Sequence, residues 1–550
     1  MPTPREWLER LAPRIVSQQG TVDRWRRYYQ GDHDLPTGPS QVSDAFRMFQ
    51  KKARTNLCGL CVRSMADRMQ VIGYRDAQGA DEEMWALWAH TQMPARQYTL
   101  FRKALALGSA FVVVGPDPRR PDMPRITIEG PDRIAVELDP ADPSNRLAGV
   151  RLWHDPLIKR WLATVYTPGT AQGGNGRRYY FQTSAEHVSA FSGGTRAEGP
   201  SLRLNSTQWV ARDGTDEGGE RSTVNLPVIP FLNAEEGDEP LAEFAGEGID
   251  IQDRLNLSVL NRLTIERFAA YRQRGLLNYL PDEDPVTGLP IRPFNPGVDQ
   301  IWTVAPPKPG DPAPSFVDFA QSTTADILRA IEGDMRAFAA ATITPVYYLP
   351  GGDMVNLSAD ALVALDTGHT SKVRQRTGLW SSAIADVWSL MAEIAKLERE
   401  VSPEMIAWAK PEAFHTAAVA DYVSKMAPNV PMPMVLEDIG WSPARIEAFR
   451  SEKANEQLLA ATLAARGQTA TDGARGGTGG TGGTGGAAGG QQPAGRGAAA
   501  APTGTPAPTT GQPTAAPRTA ATPDTAPTED TASPGFTARQ GDLDWGLFGG

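Results

Sequence analysis

Cysteine is nearly missing from this 550-residue chain. Only Cys58 and Cys61 occur, so neither a disulfide framework nor a Cys-rich zinc array is open to it. Long hydrophobic runs are missing too. The longest aliphatic stretch, around 110–114, falls far short of the ~20 residues that a membrane span needs. The opening Met-Pro-Thr-Pro-Arg-Glu-Trp has no apolar signal core. These absences predict a protein of a reducing, aqueous compartment with no membrane partner. A basic excess is lacking as well: 54 Lys and Arg stand against 64 Asp and Glu, a net charge of −10. That balance argues against gripping nucleic acid across a broad basic face, because such binding is driven by neutralising phosphates.

Catalytic signatures are equally scarce. The chain has no Walker A, HExxH, GxSxG or EF-hand loop. Gly477-Thr-Gly-Gly-Thr-Gly482 spells a dinucleotide fingerprint, but it lies in a Gly/Thr repeat with no strand before it. Cys58 and Cys61 form a CxxC without the second ligand pair that zinc requires, and read as two small residues on a buried helix face. The histidines (His33, His90, His154, His187, His369, His415) are scattered and read as structural. Asp282-Glu-Asp284, flanked by Pro281 and Pro285, reads as a solvated turn rather than a metal site. The expectation is no catalytic residue, no metal and no cofactor.

Five zones make up what is present, and they predict an α+β fold. Residues 1–105 carry helical spacing, as in Trp7, Leu8, Leu11 and Ile15, or Leu57, Cys61, Met65 and Met69. Residues 110–232 hold short β-favouring runs bounded by Gly, Pro, Asp and Asn. A two-faced helix over 248–277, roughly 40 Å long, aligns Leu255, Val259, Leu263 and Phe268. Its arginines (254, 262, 267, 272, 274) read as a solvated face or as intersubunit ion pairs in preference to a phosphate-contacting face. A proline-rich insert, 278–318, leads to a second helix over 319–342 with Ile327, Ile331, Met335 and Phe338 on one stripe. Thr323-Thr-Ala-Asp326 suggests a capping box there, and Pro345 a stop. Tyr347-Tyr-Leu-Pro-Gly-Gly-Asp353 reads as a flexible joint. A long helix is predicted over about 357–398, then a short strand at 405–408 and helices over 415–426, 432–439 and 442–465. From about 467 the chain is Gly/Thr and then Ala/Pro/Thr repeats, a composition that predicts disorder. It ends in Leu543-Asp-Trp-Gly-Leu-Phe548. Trp545 and Phe548 there are candidates for docking onto an assembly partner, against an inert tail.

Several segments stand out as motifs: Trp25-Arg-Arg-Tyr28-Tyr-Gln-Gly31-Asp-His33-Asp-Leu35, then Asn56, Val62 and Met69-Gln-Val-Ile-Gly73-Tyr. Ala104-Leu-Ala-Leu-Gly108-Ser-Ala-Phe111, Val228-Ile-Pro-Phe231-Leu-Asn233, Gln252-Asp253-Arg-Leu-Asn256 and Asn356-Leu-Ser-Ala-Asp-Ala361-Leu362 follow. In this order they resemble tailed-phage portal proteins of the branch common among phages of actinobacteria. The resemblance spans about 1–460. One departure is 243–248, which stands where the family has a Gly-Ser turn.

The resemblance implies a ring, twelve-fold in assembled virions, at one capsid vertex, formed in the host cytoplasm. DNA would be pumped through it by a terminase and leave through it to the tail. Its partners would be other copies of the chain, terminase, major capsid and scaffold proteins, a head–tail adaptor and non-specifically held double-stranded DNA. By position the wing would be 1–245 and 357–412, the stem helices 248–277 and 319–342, the clip 278–318, the tunnel loop 343–356 and the crown 413–466. The tail, 467–550, lies outside the pattern. Tyr347, Tyr348, Gly351, Gly352, Asp353 and Asn356 would then face the tunnel; read from the residues alone, that loop is equally a plain helix–helix connection. An acidic conduit would let a polyanion slide without being held. Two other readings compete: a virion scaffold or adaptor that is not the portal, and a metal-dependent nuclease or hydrolase built around 282–284 or Asp353.

Overall fold

A computed structural model describes residues 2–36, 44–76, 79–169, 175–185, 202, 208–212, 219–234, 239–270, 274–278, 312–313, 315–318, 324–349, 359–412 and 416–473. The chain divides into two units, Met1–Thr471 and Asp472–Gly550, and the architecture below is that of the first.

Mixed helix and sheet run through it in chain order. Helices α1 (Pro4–Gln30), α2 (Asp44–Lys52) and α3 (Leu57–Ala66) precede strand β1 (Val71–Tyr74). Helices α4 (Glu82–His90) and α5 (Met93–Leu107) lead into β2 (Ser109–Asp117), β3 (Arg120–Glu129), β4 (Ile134–Asp139), β5 (Asp142–Asp155) and β6 (Arg160–Thr167). Strands β7 (Arg177–Thr183), β8 (Trp209–Ala211), β9 (Glu220–Arg221) and β10 (Val228–Leu232) complete the β-rich part. Then come α6 (Glu247–Ala270), β11 (Arg274–Leu277), β12 (Ser315–Asp318), α7 (Ala325–Thr342) and α8 (Ala359–Ala395). Strand β13 (Ile406–Trp408) and helices α9 (Thr416–Met426), α10 (Met432–Asp438) and α11 (Pro443–Gly473) end the described chain.

All strand pairs among the described residues are antiparallel. One sheet has the order β10-β2-β3, another β4-β5-β6-β7-β8 with β9 on β7, and β1-β13 and β11-β12 are two-stranded ribbons. Apolar cross-strand pairs explain the pairing of β2 with β10: Val112 faces Ile229 and Ala110 faces Phe231 in register. Helix α1 starts with a capping box, Thr3 and Glu6 each satisfying the other's backbone N–H. Its Trp7, Leu8, Leu11 and Ile15 bury against Val150, Leu152, Val165 and Trp209 of the larger sheet. The main core joins α3 to α8 with β2 and β10 and includes Phe101, Trp380, Trp388 and Phe338. Helix α8 spans about 55 Å at 1.5 Å per residue. Its Trp380 donates its indole N–H to Leu232 O at 2.8 Å.

Three sequence expectations shift. The first rod ends at Ala270, not 277, because 274–277 leave the helix to pair with Ser315–Asp318; Gly275 in that stretch lowers the local preference for helix. The N-cap of α7 is Thr324, one residue past the Thr323 expected, and it makes no side-chain cap bond; Thr323 itself lies outside the described residues. The last helix runs eight residues past 465, to Gly473.

Candidate functional site

Two polar clusters tie the rods α6 and α7 to the rest of the molecule. The rods themselves run antiparallel. Gly248 at the start of α6 meets Phe338 and Thr342 near the end of α7, and farther along Arg254 Nε lies 2.8 Å from Asp334. Between them Leu255, Val259, Ile331 and Phe338 are buried in one core, with Leu263, Ile327 and Met335 half-buried against it. The side chain of Phe268 lies outside the described residues. Three of the α6 arginines find partners within the same chain. Arg254 pairs with Asp334, Arg262 with Glu266 at 3.7 Å, and Arg267 covers the ring of Phe49. These contacts are all within one chain, and Arg254 keeps more than half of its side chain exposed.

The first cluster holds the base of α6. Gln252 and Asn256, one turn apart, are fully buried. Gln252 Oε1 accepts the Leu57 N–H at 2.8 Å, and its Nε2 donates to Thr55 Oγ1 at 2.9 Å. Asn256 Oδ1 accepts from the Thr55 N–H and hydroxyl, both at 2.9 Å. With its oxygen so occupied, Asn256 must donate its Nδ2–H to His33 Nε2, 2.6 Å away. His33 is therefore neutral with its proton on Nδ1; burial, with Arg54 nearby, holds its pKa below the usual value. Tyr28 stacks on His33 and places its hydroxyl 2.6 and 2.8 Å from the Asp253 oxygens. Burial and that carboxylate push its phenol pKa up. Asn56 caps α3 through Gly59 N–H and donates to Tyr29 O. Motif segments some 200 residues apart in sequence thus meet at one point. Cys58 and Cys61 are buried, and burial raises both thiol pKa values.

The second cluster lies where α7 hands over to α8. Glu243 is buried and paired with Lys372, with Arg376 at 3.9 Å and the Asn233 amide at 3.1 Å. Burial works to raise the Glu243 pKa, but the Lys372 charge and bond outweigh it and hold the carboxyl below its usual range. Lys372 also donates to Thr342 O at 2.5 Å. Beyond Pro345, a single turn at Val346–Tyr348 brings Tyr347 and Tyr348 onto Arg68. The guanidinium lies 2.9 Å from the Tyr348 hydroxyl, 3.3 Å from that of Tyr347 and 2.6 Å from Asp366. Tyr347 donates to the other Asp366 oxygen at 2.6 Å. Burial tends to raise the Asp366 pKa; the bonds from Arg68 and Tyr347 overcome it and leave it lowered.

Of the residues expected in the tunnel loop, Tyr347 and Tyr348 are thus the two whose positions are described. Gly351, Gly352, Asp353 and Asn356 lie outside the described residues, as do 282–284, His187, His415, Trp545 and Phe548. Sequence reading missed Arg68, Glu243, Asp366 and Lys372. The one hint was Glu243, an acidic residue at the departure from the expected turn. Among the described residues, no group of three or more His, Cys, Asp or Glu is placed to hold a metal ion. No described helix is long and apolar enough to cross a membrane. A half-open cleft of about 420 Å³ lies between β1, β13, α10 and α11, walled by Ile72, Trp408, Trp441 and Ile446 with Arg75 and Glu437 at its side.

Comparison with known proteins adds four findings. The family profile described as "Phage portal protein, SPP1 Gp6-like" matches residues 15–457. The curated "Portal protein" of Mycobacterium phage D29 is 24% identical over 413 residues, 71% of this chain and 77% of the relative. That of Mycobacterium phage L5 is 25% identical over 425 residues, 73% and 79% of the two chains. Among solved structures, a chain from "Neck of native GTA particle computed with C12 symmetry" aligns with a TM-score of 0.34 and 12% identity, covering 76% of this chain and 99% of its own.

Proposed function

Because the chain belongs to the SPP1 Gp6-like family of phage portal proteins, we propose that copies of it close into a ring whose axial hole passes double-stranded DNA. Its function is that of a phage portal protein. The observation that carries this is the family match over residues 15–457, which takes in every element from the middle of α1 to the first half of α11. In the ring, α6 and α7 are the stem, the segment between them with the β11–β12 ribbon is the clip, and the stretch 343–356 is the tunnel loop. The wing is 1–245 with α8 and β13, and α9 to α11 form the crown. Twelve copies, a place at the DNA-bearing vertex of the virion, and terminase, capsid, scaffold and head–tail adaptor partners complete the proposal. The ring itself is structural; the hydrolysis that drives DNA belongs to the motor.

Physical features support a ring. A closed cyclic assembly repeats one heterologous contact, and the chain offers apolar side chains for it on solvent-facing helices. Leu458, Leu459 and Leu463 of α11 and Val363 and Leu365 of α8 are each more than half exposed. The net charge of −10 suits a conduit that must not hold its polyanion.

Negative-stain imaging and native mass measurement of the purified protein test the reading. A homogeneous annulus with a hole wide enough for duplex DNA is the expected result, and a monomer or dimer under all conditions overturns it. Assays of ATPase and nuclease turnover with Mg²⁺ are expected to show none; turnover abolished by D353A would favour the enzyme reading instead.

A further inference from the structure

We propose that Ile343 is a strained joint at the end of α7, locked in its present setting by side chains of α8. Ile343 has φ 51° and ψ 41°, the left-handed region. A β-branched residue is a true outlier there. The position is a helix C-cap that is ordinarily given to glycine or asparagine. The isoleucine is not there for burial, since half of its surface is exposed. Strain of this kind persists only where the surroundings over-determine the backbone.

They do so here on both sides. The Ile343 and Thr344 N–H groups donate to Ala340 O and Ala339 O at 3.3 and 2.9 Å. The carbonyls of Thr342 and Ile343 face two α8 side chains, Lys372 Nζ at 2.5 Å and His369 Nδ1 at 3.0 Å. Buried Glu243 fixes Lys372. The hydroxyls of Thr342 and Thr344, both buried, lie 2.8 Å apart. Downstream, Tyr347 bonds to Asp366 and Tyr348 to Arg68, which is itself paired with Asp366.

Asp366, His369 and Lys372 all belong to the first half of α8. Moving those turns loosens both sides of the joint together. Pro345 prevents the helix from simply continuing. Release at 343 therefore redirects the 345–349 segment relative to α7 rather than lengthening α7. The joint is a two-position element whose equilibrium α8 sets.

Hydrogen exchange and thermal melts of the full-length protein test this whether or not rings form, so the portal architecture stands or falls separately, on ring imaging. Asparagine accepts the left-handed region, so I343N is expected to melt several degrees above wild type, while I343V, equally strained, melts with it. E243Q/K372M, which removes the lock and leaves Arg376 facing a neutral amide, is expected to raise amide exchange over 339–349 about tenfold and leave α1 unchanged. If that double variant does not fold, H369F serves for the same reading. Adding I343N to the unlocked variant is expected to return part of the protection. An I343N melting point at or below that of wild type, or unchanged exchange over 339–349 in the folded unlocked variant, overturns the proposal.

Discussion

At the scale of single residues, buried polar groups carry the information. His33 and His369 are almost wholly buried, and burial holds both pKa values below the ordinary 6.5. Unfolded chains take up these two protons first, so their contribution to stability is fully present above pH 6.5 and drains away as pH falls below it. Asp366 and Glu243, with lowered pKa values, add losses of the same sign only at more acid pH. Burial-raised Asp386 and Glu393 act in the opposite sense and at higher pH, adding stability as pH falls toward their ordinary values. Urea midpoints measured from pH 7.5 to 5 are therefore expected to fall with pH, and H33N is expected to flatten the slope. A midpoint that rises on acidification would contradict the neutral assignment of His33. None of this was legible in the sequence, where the six histidines looked alike. Which of them is neutral and pinned depends on Asn256 having its oxygen taken by Thr55.

At the scale of elements, spacing alone located most helices, because an apolar stripe with a 3.6-residue period needs no knowledge of its partner. Helices α8, α9 and α10 lie within a few residues of their expected bounds. The differences came where a local preference lost to pairing, as at 274–277, which leaves the rod for a ribbon. Docking of α11 shows the same dependence. Its first residue, Pro443, rests on Gly73 of β1, where a Cβ would stand 2.6 Å from the proline Cδ. Such a contact is too short for any alanine, so the glycine in the Met69–Tyr74 motif is a seat for a helix some 370 residues away. G73A is expected to lift the start of α11. Limited proteolysis would then cut near 440–443 well before wild type is cut, with a small loss of overall stability of about 1 kcal/mol. Equal resistance of the two proteins would show that the seat is not needed.

At the scale of the whole molecule, the balance of charge makes its own prediction. A protein that neutralises many phosphates loses affinity steeply with salt, by about −0.9 in log–log slope per phosphate contact. With a net charge of −10, and with Arg254, Arg262 and Arg267 engaged inside the chain, the assembled protein is expected to bind duplex DNA weakly and with a shallow slope. Tight binding that collapses between low and moderate salt would mean a DNA-gripping surface. By itself the sequence determined the class of fold, the order of its rods and strands, and the family, since each rests on local periodicity or on motifs read in order. Only the tertiary structure decided that residues 28, 33, 55, 252 and 256 share one cluster, that Glu243 neutralises Lys372, and that Ile343 is held in the left-handed region. Those are contacts between distant stretches of chain, and the spacing of residues along a sequence says nothing about which buried donor will meet which acceptor.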